Sequence, residues 1–555
     1  MKFIKSWKFL LLVIVLIAGF LRFNQLGNVP QGLHRDEADL AYNAYSILMT
    51  GKDMAGTYLP LHLESFYFSP DGYSYASIPF IFMFGLGEFS ARFASAIFGV
   101  LTIPALYYLC VVLFDKFKNK RKIALISSFF LAVSPWHINL SRTATDNVIV
   151  VLFVVLGALA YIVWVDKKKN YLLVLSYLLL GITTFIYQAP RAFTPLFVPL
   201  LGAYVFLKDK QIILKSLLKQ FLIFVFIIVL PIIVILSQKD LAVRISELSV
   251  FNHPETTLVL QEQISNDTVS GLPYIATRLF HNKATGYFFT ISENFFKHLS
   301  FDYLFLDYGF PDRYRIPGSG LLYIFQLPLI LLGVFFLLKW DKKIAFFLTG
   351  WLLISFVGSS LTFDDIPNLQ RTLFAVIPLV IFSGLGFVAI YDLVKNPRVR
   401  NIVLFIVWGI IIYSILYYLV QYYAQGRVYR PWYRQDGYKE LVLKVNDLLP
   451  KYDHAVITNR ETAPTIFFLF YSKYDPKTFQ EETKTEISNE VNFSNYIFSK
   501  EECPLRIHEK NKKLTGEKGI LYVNSSLCDD PFGSTLVGVV KRSDNSEVFR
   551  LLVVK

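Results

Sequence analysis

Long apolar runs recur along this chain of 555 residues, and they restrict its possible folds more than any other feature. The first run reads KFLLLVIVLIAGFL over residues 8–21. A helix of about 20 apolar residues crosses the hydrocarbon core of a bilayer and satisfies its own backbone hydrogen bonds there. Hydrophobic residues make up 54% of the chain, a share above that of typical soluble domains. We therefore predict an all-α, polytopic membrane bundle.

Eleven segments have the length and composition of membrane spans. They lie at about 8–26, 90–114, 121–138, 146–165, 170–187, 191–208, 217–237, 319–339, 343–361, 371–393 and 399–424. A twelfth candidate, YASIPFIFMFGLG at 75–87, is short and contains Pro79, so we interpret it as re-entrant or interfacial. The first segment lacks a small-residue cleavage site after its apolar core, which predicts a retained helix.

The basic residues predict the orientation of these spans. The net charge is +13, but the Lys and Arg residues cluster in short tracts between apolar runs, which explains the charge better than a nucleic-acid partner does. The tracts are DKFKNKRK, DKKKN, KDK, KWDKK and KNPRVR. A cytoplasmic N-terminus and eleven spans place every tract in the cytoplasm, as the positive-inside rule requires. We expect a multi-pass protein of the plasma membrane.

Three larger segments then lie outside the cytoplasm. They are a first outer loop at 27–89, a long outer loop at 238–318, and the C-terminal part. We accordingly predict a membrane domain at 1–425 and a small soluble α/β domain at 426–555, because runs such as HAVITN, GILYVN, STLVGVVK and EVFRLLVVK alternate with polar turns. Cys503 and Cys528 lie where a disulfide would persist, and the sequence leaves their pairing open.

The first outer loop contains a carboxylate pair in the stretch HRDEADLAYNAYSILMTG at 34–51. Asp36 is in position to cap a helix that runs to about Met49 and ends at Gly51. The apolar residues of this helix fall on one face, which predicts an amphipathic helix on the outer leaflet. The simpler alternative is that Asp36 is only a cap and that Glu37 is solvated.

Three further span ends on the same side carry unexpected charges. SPWHINLSRTATDNV at 134–148 contains Arg142 and Asp146, IYQAPRAF contains Arg191, and DDIPNLQRTL contains Arg371. Arginines at outer span ends run against the positive-inside rule, and an anionic ligand at the membrane surface would explain them. The alternative for Asp146 is a helix cap that pairs with Arg142.

The order of these features resembles that of the GT-C glycosyltransferases. The shared features are an N-terminal helix, an outer loop with DE, a second Asp after an SPxxxxxSR stretch, a long late outer loop and a soluble tail. Within that superfamily the chain is similar to the protein O-mannosyltransferase and aminoarabinose (lipid A) transferase group, and GLGEFSARFASAIFGVLTIPALYYL at 85–109 resembles the second-helix region of that group, with Arg92 in place. The resemblance covers residues 1 to about 425. It implies transfer of a sugar from a polyprenyl-phosphate donor to a protein, glycan or lipid acceptor at the outer face.

The resemblance also implies roles for particular residues. Asp36 would be the base of an inverting single displacement, with Glu37 beside it and Asp146 as the second acidic residue. Arginines would stabilise the departing lipid phosphate. The first candidates are Arg191 and Arg371, and the second are Arg142, Arg313 and Arg315.

A divalent metal and two other activities stay open. His62, Glu64 and His253 lie in the outer loops and could bind a metal, or they could be ordinary polar residues. A lipid-linked sugar transporter or flippase would place ionisable groups near the bilayer midplane, where the predicted spans have almost none. A polymerase or ligase that uses a diphosphate-linked oligosaccharide, and an inactive scaffold, remain alternatives.

Overall fold

The structure of the protein is a computed structural model, and its described residues leave gaps. They are 6–64, 68–237, 248–307, 309–483, 488, 490–508, 519–530 and 533–554. Parts of the predicted long outer loop, at 238–247 and 308, therefore lie outside the described residues. The side chain of the metal candidate Glu64 lies outside them as well.

Each of the eleven predicted spans coincides with helix. These helices are α1 (Trp7–Phe23), α4 (Glu88–Leu113), α5 (Lys120–Ala132), α6 (Pro135–Ser141), α7 (Asp146–Lys167), α8 (Asn170–Ile186), α9 (Pro190–Lys208), α10 (Lys210–Phe224), α11 (Leu230–Leu236), α16 (Gln326–Trp340), α17 (Lys342–Ser360), α18 (Val376–Leu393) and α19 (Pro397–Val420). A π-helical turn, Val225–Val229, joins α10 to α11 into one long helix. The helices between these spans are α2 (Arg35–Thr50), α3 (Gly72–Phe84), α12 (Pro254–Ser270), α13 (Tyr274–Phe280), α14 (Lys283–Lys297) and α15 (Phe301–Phe305).

Length and apolar composition confirm a polytopic helical protein. Within the described ranges, seven helices are long and apolar enough to cross a membrane, and the pair α5 and α6, bent by 55°, would make an eighth. The apolar helices α8 and α16 are shorter. The 75–87 candidate corresponds to α3, a helix of 13 residues that contains Pro79, and it is too short to span. The assignment of each end to one side of the membrane stays a prediction.

The chain divides into two compact units. The first comprises Met1–Leu21, Phe98–Leu140 and Asn147–Tyr418, and the second comprises Arg22–Ile97, Ser141–Asp146 and Leu419–Lys555. In the first unit, α18 is buried on all sides and packs backbone to backbone on α16. A Cβ added at Gly333 would lie 2.0 Å from the Phe382 carbonyl oxygen, so only glycine permits this approach. This close contact anchors α18, which begins at Val376 after the short turn that follows Arg371.

The second unit contains a mixed five-stranded sheet in the order β4-β3-β5-β7-β6. The strands are β3 (His454–Thr458), β4 (Tyr496–Ser499), β5 (Ile520–Ser525), β6 (Ser534–Lys541) and β7 (Glu547–Val554), and the first outer loop adds the hairpin β1 (His62–Glu64) and β2 (Phe68–Pro70). The short helix α20 (Gly426–Val428) precedes the sheet, and helices α21 (Tyr438–Leu448), α22 (Pro464–Ser472) and α23 (Pro476–Thr483) complete the α/β fold of the tail. The four strand-like runs of the sequence are thus confirmed as strands, whereas β4 was not predicted.

Helix α2 is covered by protein on both faces. It packs on α3 and on the tail helices α22 and α23, and its buried residues run from Glu37 to Ile47 with few gaps. The Tyr42 hydroxyl donates to the Tyr474 carbonyl oxygen at 3.0 Å, and the Gln480 amide donates to the Asp53 carbonyl oxygen at 2.7 Å. The expected contact of its apolar face with the outer leaflet is therefore replaced by contact with the tail, because α22 and α23 supply the apolar surface.

Cys503 and Cys528 form a disulfide, with Cα atoms 5.8 Å apart. The bond links the segment after β4 to the turn after β5, two elements of the same sheet. The pairing that the sequence left open is thereby confirmed. Free Cys110 is buried.

Candidate active site

Helix α2 begins with a reciprocal capping box, and Asp36 is not the cap. The His34 Nδ1 atom accepts a hydrogen bond from the Asp36 backbone N–H at 3.2 Å, and Glu37 Oε1 accepts from the His34 N–H at 3.4 Å. The predicted cap at Asp36 was wrong because the imidazole of the preceding His34 performs that role. Asp36 lies in the first turn, and its side chain stays 37% exposed, 3.8 Å from Arg35 Nε. Its carboxylate is therefore accessible to a ligand.

Glu37 forms a buried ion pair with Arg92. Arg92 Nε donates to Glu37 Oε2 at 2.9 Å and its Nη2 to Oε1 at 3.2 Å, and both side chains are essentially inaccessible. The same guanidinium donates to the carbonyl oxygens of Pro30 and Gly32 at 3.0 and 2.6 Å. The Ala144 N–H also donates to Glu37 Oε2 at 2.9 Å. The pair therefore joins the start of α2 to three other segments.

The electrostatics of Glu37 fit a fixed anion. Burial alone would raise the pKa of this carboxyl, but the charge and hydrogen bonds of Arg92 together with the Ala144 N–H hold the pKa below its usual range. Arg434 of the tail acts in the same direction. Glu37 is therefore a buried, ion-paired carboxylate at the start of α2.

The segment before α7 places Asp146 at the first residue of that helix. Arg142, four residues earlier, is fully buried and donates to the carbonyl oxygens of Asn24 and Val29 at 2.6 and 2.9 Å. Its Nε donates to the Tyr422 hydroxyl at 3.2 Å. Arg142 thus binds backbone carbonyl oxygens and a tyrosine hydroxyl, which is a structural role. Asp146 remains the second acidic candidate.

Three buried carboxylates of the second unit were not predicted as site residues. Asp39, Asp53 and Asp71 are each less than 5% exposed. Burial, and after it the neighbouring carboxylates of Asp53, Asp39 and Asp146, together raise the pKa of Asp71 to about 8. Sequence analysis missed Asp71 because an Asp before Gly72 has the pattern of an ordinary helix start.

Asp71 should make the stability of the protein depend on pH. Its carboxyl stays protonated in the folded chain up to about pH 8 but ionises near 3.8 when exposed, so its favourable contribution is complete below about pH 4 and is lost as the pH rises through 8. The free energy of unfolding should therefore fall by a few kcal/mol over this pH range, since each tenfold change in proton affinity corresponds to about 1.4 kcal/mol. Asp71→Asn cannot ionise, so we expect this fall to be absent in the variant. Thermal melting of purified protein between pH 5 and 9 measures this, with Asp447→Asn, an exposed carboxyl of the same unit, as the control. An unchanged pH profile would contradict the assignment.

The tail also holds the start of α2 directly. Gln435 Oε1 accepts from the Arg35 N–H at 2.9 Å, and its amide nitrogen donates to Glu461 O and Thr462 Oγ1 at 2.9 and 2.8 Å. A Cβ added at Gly32 would lie 2.9 Å from the Arg434 carbonyl oxygen, so the backbone before α2 runs very close to the backbone of the tail at this point. Gln435 was not a sequence candidate, because its contact with Arg35 joins residues 400 positions apart.

The two leading arginine candidates line one cavity of the first unit. The cavity has a volume of about 440 Å³, and Arg191 and Arg371 both contribute to its wall. The remaining wall is mostly apolar, and it includes Ala189, Ala192, Ile232, Leu236, Leu248, Phe251 and Leu361. Among its described lining residues there is no carboxylate. An apolar cavity with two guanidinium groups fits an anionic head group attached to a hydrocarbon chain.

The loop that carries Arg371 is fixed by hydrogen bonds. The Arg371 Nη1 donates to Thr362 Oγ1 and to the Asp364 carbonyl oxygen, both at 2.7 Å, and its backbone N–H donates to Asn368 Oδ1 at 2.8 Å. Buried His298 accepts from the Asn368 N–H at 3.1 Å, and burial lowers the pKa of this imidazole to about 4. A neutral His298 therefore stabilises the loop, a role that the sequence did not indicate.

Arg191 is mostly buried at the start of α9, where its Nε donates to the Thr184 carbonyl oxygen at 3.0 Å. Arg315 is held elsewhere by two carboxylates, Asp307 Oδ1 at 3.1 Å and Asp312 Oδ1 at 3.0 Å. Arg313 lies over the ring of Tyr314, 4.9 Å from its centre. Neither Arg313 nor Arg315 lines the cavity that contains Arg191 and Arg371.

The proposed metal ligands have ordinary structural surroundings where they are described. His62 is buried in β1, and His253 caps α12, with its Nδ1 accepting from the Glu255 N–H at 3.4 Å and its ring stacked on Phe363. No group of three His, Cys, Asp or Glu side chains suited to a metal ion occurs in the described part of the chain. His62 and His253 therefore have structural roles in the described part of the chain, and the proposed reaction is argued without a metal.

Comparisons with known proteins agree with the predicted family resemblance. The sequence matches the family model for dolichyl-phosphate-mannose-protein mannosyltransferase over residues 73–235. Comparison with the sequences of curated proteins gives no match.

Solved structures resemble nearly the whole chain. The archaeal oligosaccharyltransferase AglB from Archaeoglobus fulgidus, in complex with an inhibitory peptide and a dolichol-phosphate, is 14% identical with a TM-score of 0.51, over 94% of this chain and 69% of that one. ArnT from Cupriavidus metallidurans bound to undecaprenyl phosphate is 12% identical with a TM-score of 0.51, over 98% of both chains. A complex of the Archaeoglobus fulgidus oligosaccharyltransferase with zinc and sulfate is 13% identical, with a TM-score of 0.50 over 93% of this chain and 68% of that one. At these identities the likeness establishes the fold alone: the chain shares the overall fold of the Archaeoglobus fulgidus oligosaccharyltransferase and of ArnT.

Proposed function

We propose that the protein is a membrane glycosyltransferase that moves a sugar from a polyprenyl-phosphate donor to an acceptor hydroxyl. The observation that carries this proposal is the cavity of about 440 Å³ in which Arg191 and Arg371 interrupt an apolar wall. A lipid phosphate needs both properties, since its chain is apolar and its head group is an anion. Two structural relatives were solved with dolichol-phosphate and undecaprenyl phosphate, which supports the same class of donor.

The proposed reaction is a single displacement at the anomeric carbon. The acceptor oxygen forms a bond to that carbon, the bond from the carbon to the phosphate oxygen breaks, and the configuration inverts. Asp36 accepts the hydroxyl proton, which suits an accessible carboxylate at the start of a rigid helix. Glu37 and Arg92 hold that helix, and Asp146 is the second acidic group that orients the acceptor.

The two cavity arginines stabilise the leaving group. The lipid phosphate gains negative charge as the sugar departs, so a guanidinium aimed at it stabilises the transition state more than the ground state. Arg371 is suited to this because its loop is fixed by Asn368 and Thr362 before any ligand arrives. Such preorganisation avoids a reorganisation cost during the reaction.

We place this reaction at the outer face of the plasma membrane, with the N-terminus in the cytoplasm and the tail outside. The distribution of basic tracts supports this orientation. The Cys503–Cys528 disulfide supports it independently, because disulfides persist in oxidising compartments and are rare in the cytosol.

Substitution of the cavity arginines tests the donor site. We expect Arg191→Ala and Arg371→Ala each to weaken undecaprenyl phosphate binding by about 10- to 100-fold, the usual cost of a lost hydrogen bond to a charged group. Binding to the full-length protein in nanodiscs is measured with radiolabelled undecaprenyl phosphate. The matched control is Arg278→Ala, an arginine on α13 that contacts Tyr274 and lies outside the cavity.

The two arginine variants and the donor type separate the competing activities. Unchanged affinity in both variants would place the phosphate site elsewhere. Transfer from a polyprenyl-diphosphate sugar but not from a polyprenyl-phosphate sugar would favour a polymerase or ligase. Movement of the lipid-linked sugar across the bilayer without transfer would favour a flippase.

A further inference from the structure

A second, larger cavity lies in the first unit, among the helices that follow residue 248. Its volume is about 770 Å³, within the range of small-molecule sites, and it is enclosed by α12, α14, the end of α13 and residues 363–366. The proposed donor site and the proposed base do not use it. Its ligand can be inferred from its lining.

The charges of this cavity disfavour an anionic ligand. Among its described lining residues, Lys297 is the one permanent cation, and its Nζ already contacts Glu293 Oε1 at 2.8 Å. Glu255 adds a second carboxylate to the lining. His281 also lines the cavity, but its Nδ1 atom lies 2.5 Å from Asp267 Oδ2, so a carboxylate already occupies that side of the ring. A phosphate would meet more negative than positive charge here, in contrast to the cavity that contains Arg191 and Arg371.

The polar groups of the wall equally disfavour a purely apolar ligand. Gln263, Thr290, Asn294 and Glu293 all line the cavity. The Thr290 hydroxyl and the Asn294 amide already donate to protein carbonyl oxygens. A hydrocarbon chain would nevertheless remove the Gln263 amide and the Glu293–Lys297 ion pair from water without offering them hydrogen bonds, which costs free energy. The ligand must therefore carry hydrogen-bonding groups of its own.

Aromatic side chains form another part of the wall. Phe289 lines the cavity although its side chain is 68% exposed, and Phe280 lines it at 61% exposed. The ring of His253, which also lines the cavity, stacks on that of Phe363, with centres 3.8 Å apart. Exposed aromatic faces beside amide, hydroxyl and carboxylate groups match a pyranose ring, which has an apolar C–H face and a rim of hydroxyl groups.

We propose that this cavity binds the neutral sugar residues of a glycan acceptor. The inference rests on the proposed function, because it selects the glycan among the protein, glycan and lipid acceptors that the sequence left open. The cavity has room for a short oligosaccharide, and its polar groups and aromatic faces would hold the sugars that precede the reacting hydroxyl.

Two neighbouring phenylalanines give a matched test. Phe288 and Phe289 are adjacent on α14 and are 66% and 68% exposed, but of the two only Phe289 lines the cavity. Binding of a panel of neutral trisaccharides to the full-length protein in nanodiscs is measured by saturation-transfer NMR, with uronic-acid trisaccharides as anionic counterparts. We expect Phe289→Ala to weaken binding of the neutral sugars by about tenfold, and Phe288→Ala to leave it unchanged. Glu293→Gln should also weaken it.

The outcomes separate this inference from the donor proposal. Failure of every neutral trisaccharide to bind, equal effects of the two phenylalanine variants, or preference for the anionic panel would overturn the inference. Because Phe289 is outside the donor cavity, undecaprenyl phosphate binding should not change in Phe289→Ala. Loss of donor affinity in Arg191→Ala with normal trisaccharide binding would support both proposals, whereas trisaccharide binding with no sugar transfer by the wild type would reject only the proposed function.

Discussion

Replacement of Asp36 by asparagine is expected to lower the rate of sugar transfer by about two to four orders of magnitude, the usual contribution of a general base. Asparagine has nearly the same shape but cannot accept the acceptor proton. The assay uses full-length protein reconstituted with radiolabelled polyprenyl-phosphate sugars and a glycan acceptor. Because the Asp36 side chain is 37% exposed and does not cap α2, we expect the variant to fold as the wild type does.

Two further variants define the role of Asp36. Asp447→Asn, at an exposed position of the second unit, tests whether the loss of any carboxylate lowers the transfer rate. We expect this variant to transfer sugar at the wild-type rate. Asp146→Asn tests the second acidic residue and should lower transfer less than Asp36→Asn does. Normal turnover in Asp36→Asn would exclude this carboxylate as the base, and a larger loss in Asp146→Asn would transfer the role to Asp146.

Replacement of Arg92 by methionine should have the largest effect on stability. The substitution leaves Glu37 buried without its counter-ion, and breaking a buried pair in this way costs about 3–5 kcal/mol. The guanidinium also satisfies the carbonyl oxygens of Pro30 and Gly32, which would lose their donor. Thermal unfolding of the detergent-solubilised protein, followed by circular dichroism, measures the loss.

A comparison with an exposed ion pair isolates the effect of burial. Lys439 contacts Glu88 at 2.7 Å with its side chain 55% exposed, so Lys439→Ala should cost no more than about 1 kcal/mol. The double variant Glu37→Gln with Arg92→Met removes the uncompensated charge and should regain part of the loss. If Arg92→Met were as stable as Lys439→Ala, the Glu37–Arg92 pair would not hold the start of α2.

The membrane helices could be located from the sequence because their signal is local. An apolar run of about 20 residues has few alternatives to a spanning helix. Each predicted span coincides with helix, and α3 is short as its composition at 75–87 indicated. The helix ends were predicted less accurately than the helices themselves: α16 begins at Gln326, whereas the predicted span begins at residue 319.

The candidate site was only partly accessible to sequence reasoning. Arg191 and Arg371 stood out because arginines at outer span ends are unusual, and both line the same cavity. The same argument applied to Arg142, and the family resemblance added Arg315, but their partners, the Asn24 carbonyl oxygen and the Asp307 carboxylate, are visible only in three dimensions. A charge in a sequence does not indicate which neighbour will bind it.

The sequence by itself determined the class of the protein: a helical membrane bundle with a small α/β tail, charged groups at one set of span ends, and motifs that resemble one superfamily. Only the tertiary structure decided that His34 and not Asp36 caps α2, that Glu37 is bound by Arg92, and that Gln435 of the tail holds Arg35. Spans depend on composition within about 20 residues, whereas the Glu37–Arg92 and Arg35–Gln435 contacts join residues that are 55 and 400 positions apart. Hydrogen bonds over such separations depend on how the chain folds back on itself, and no local pattern encodes them.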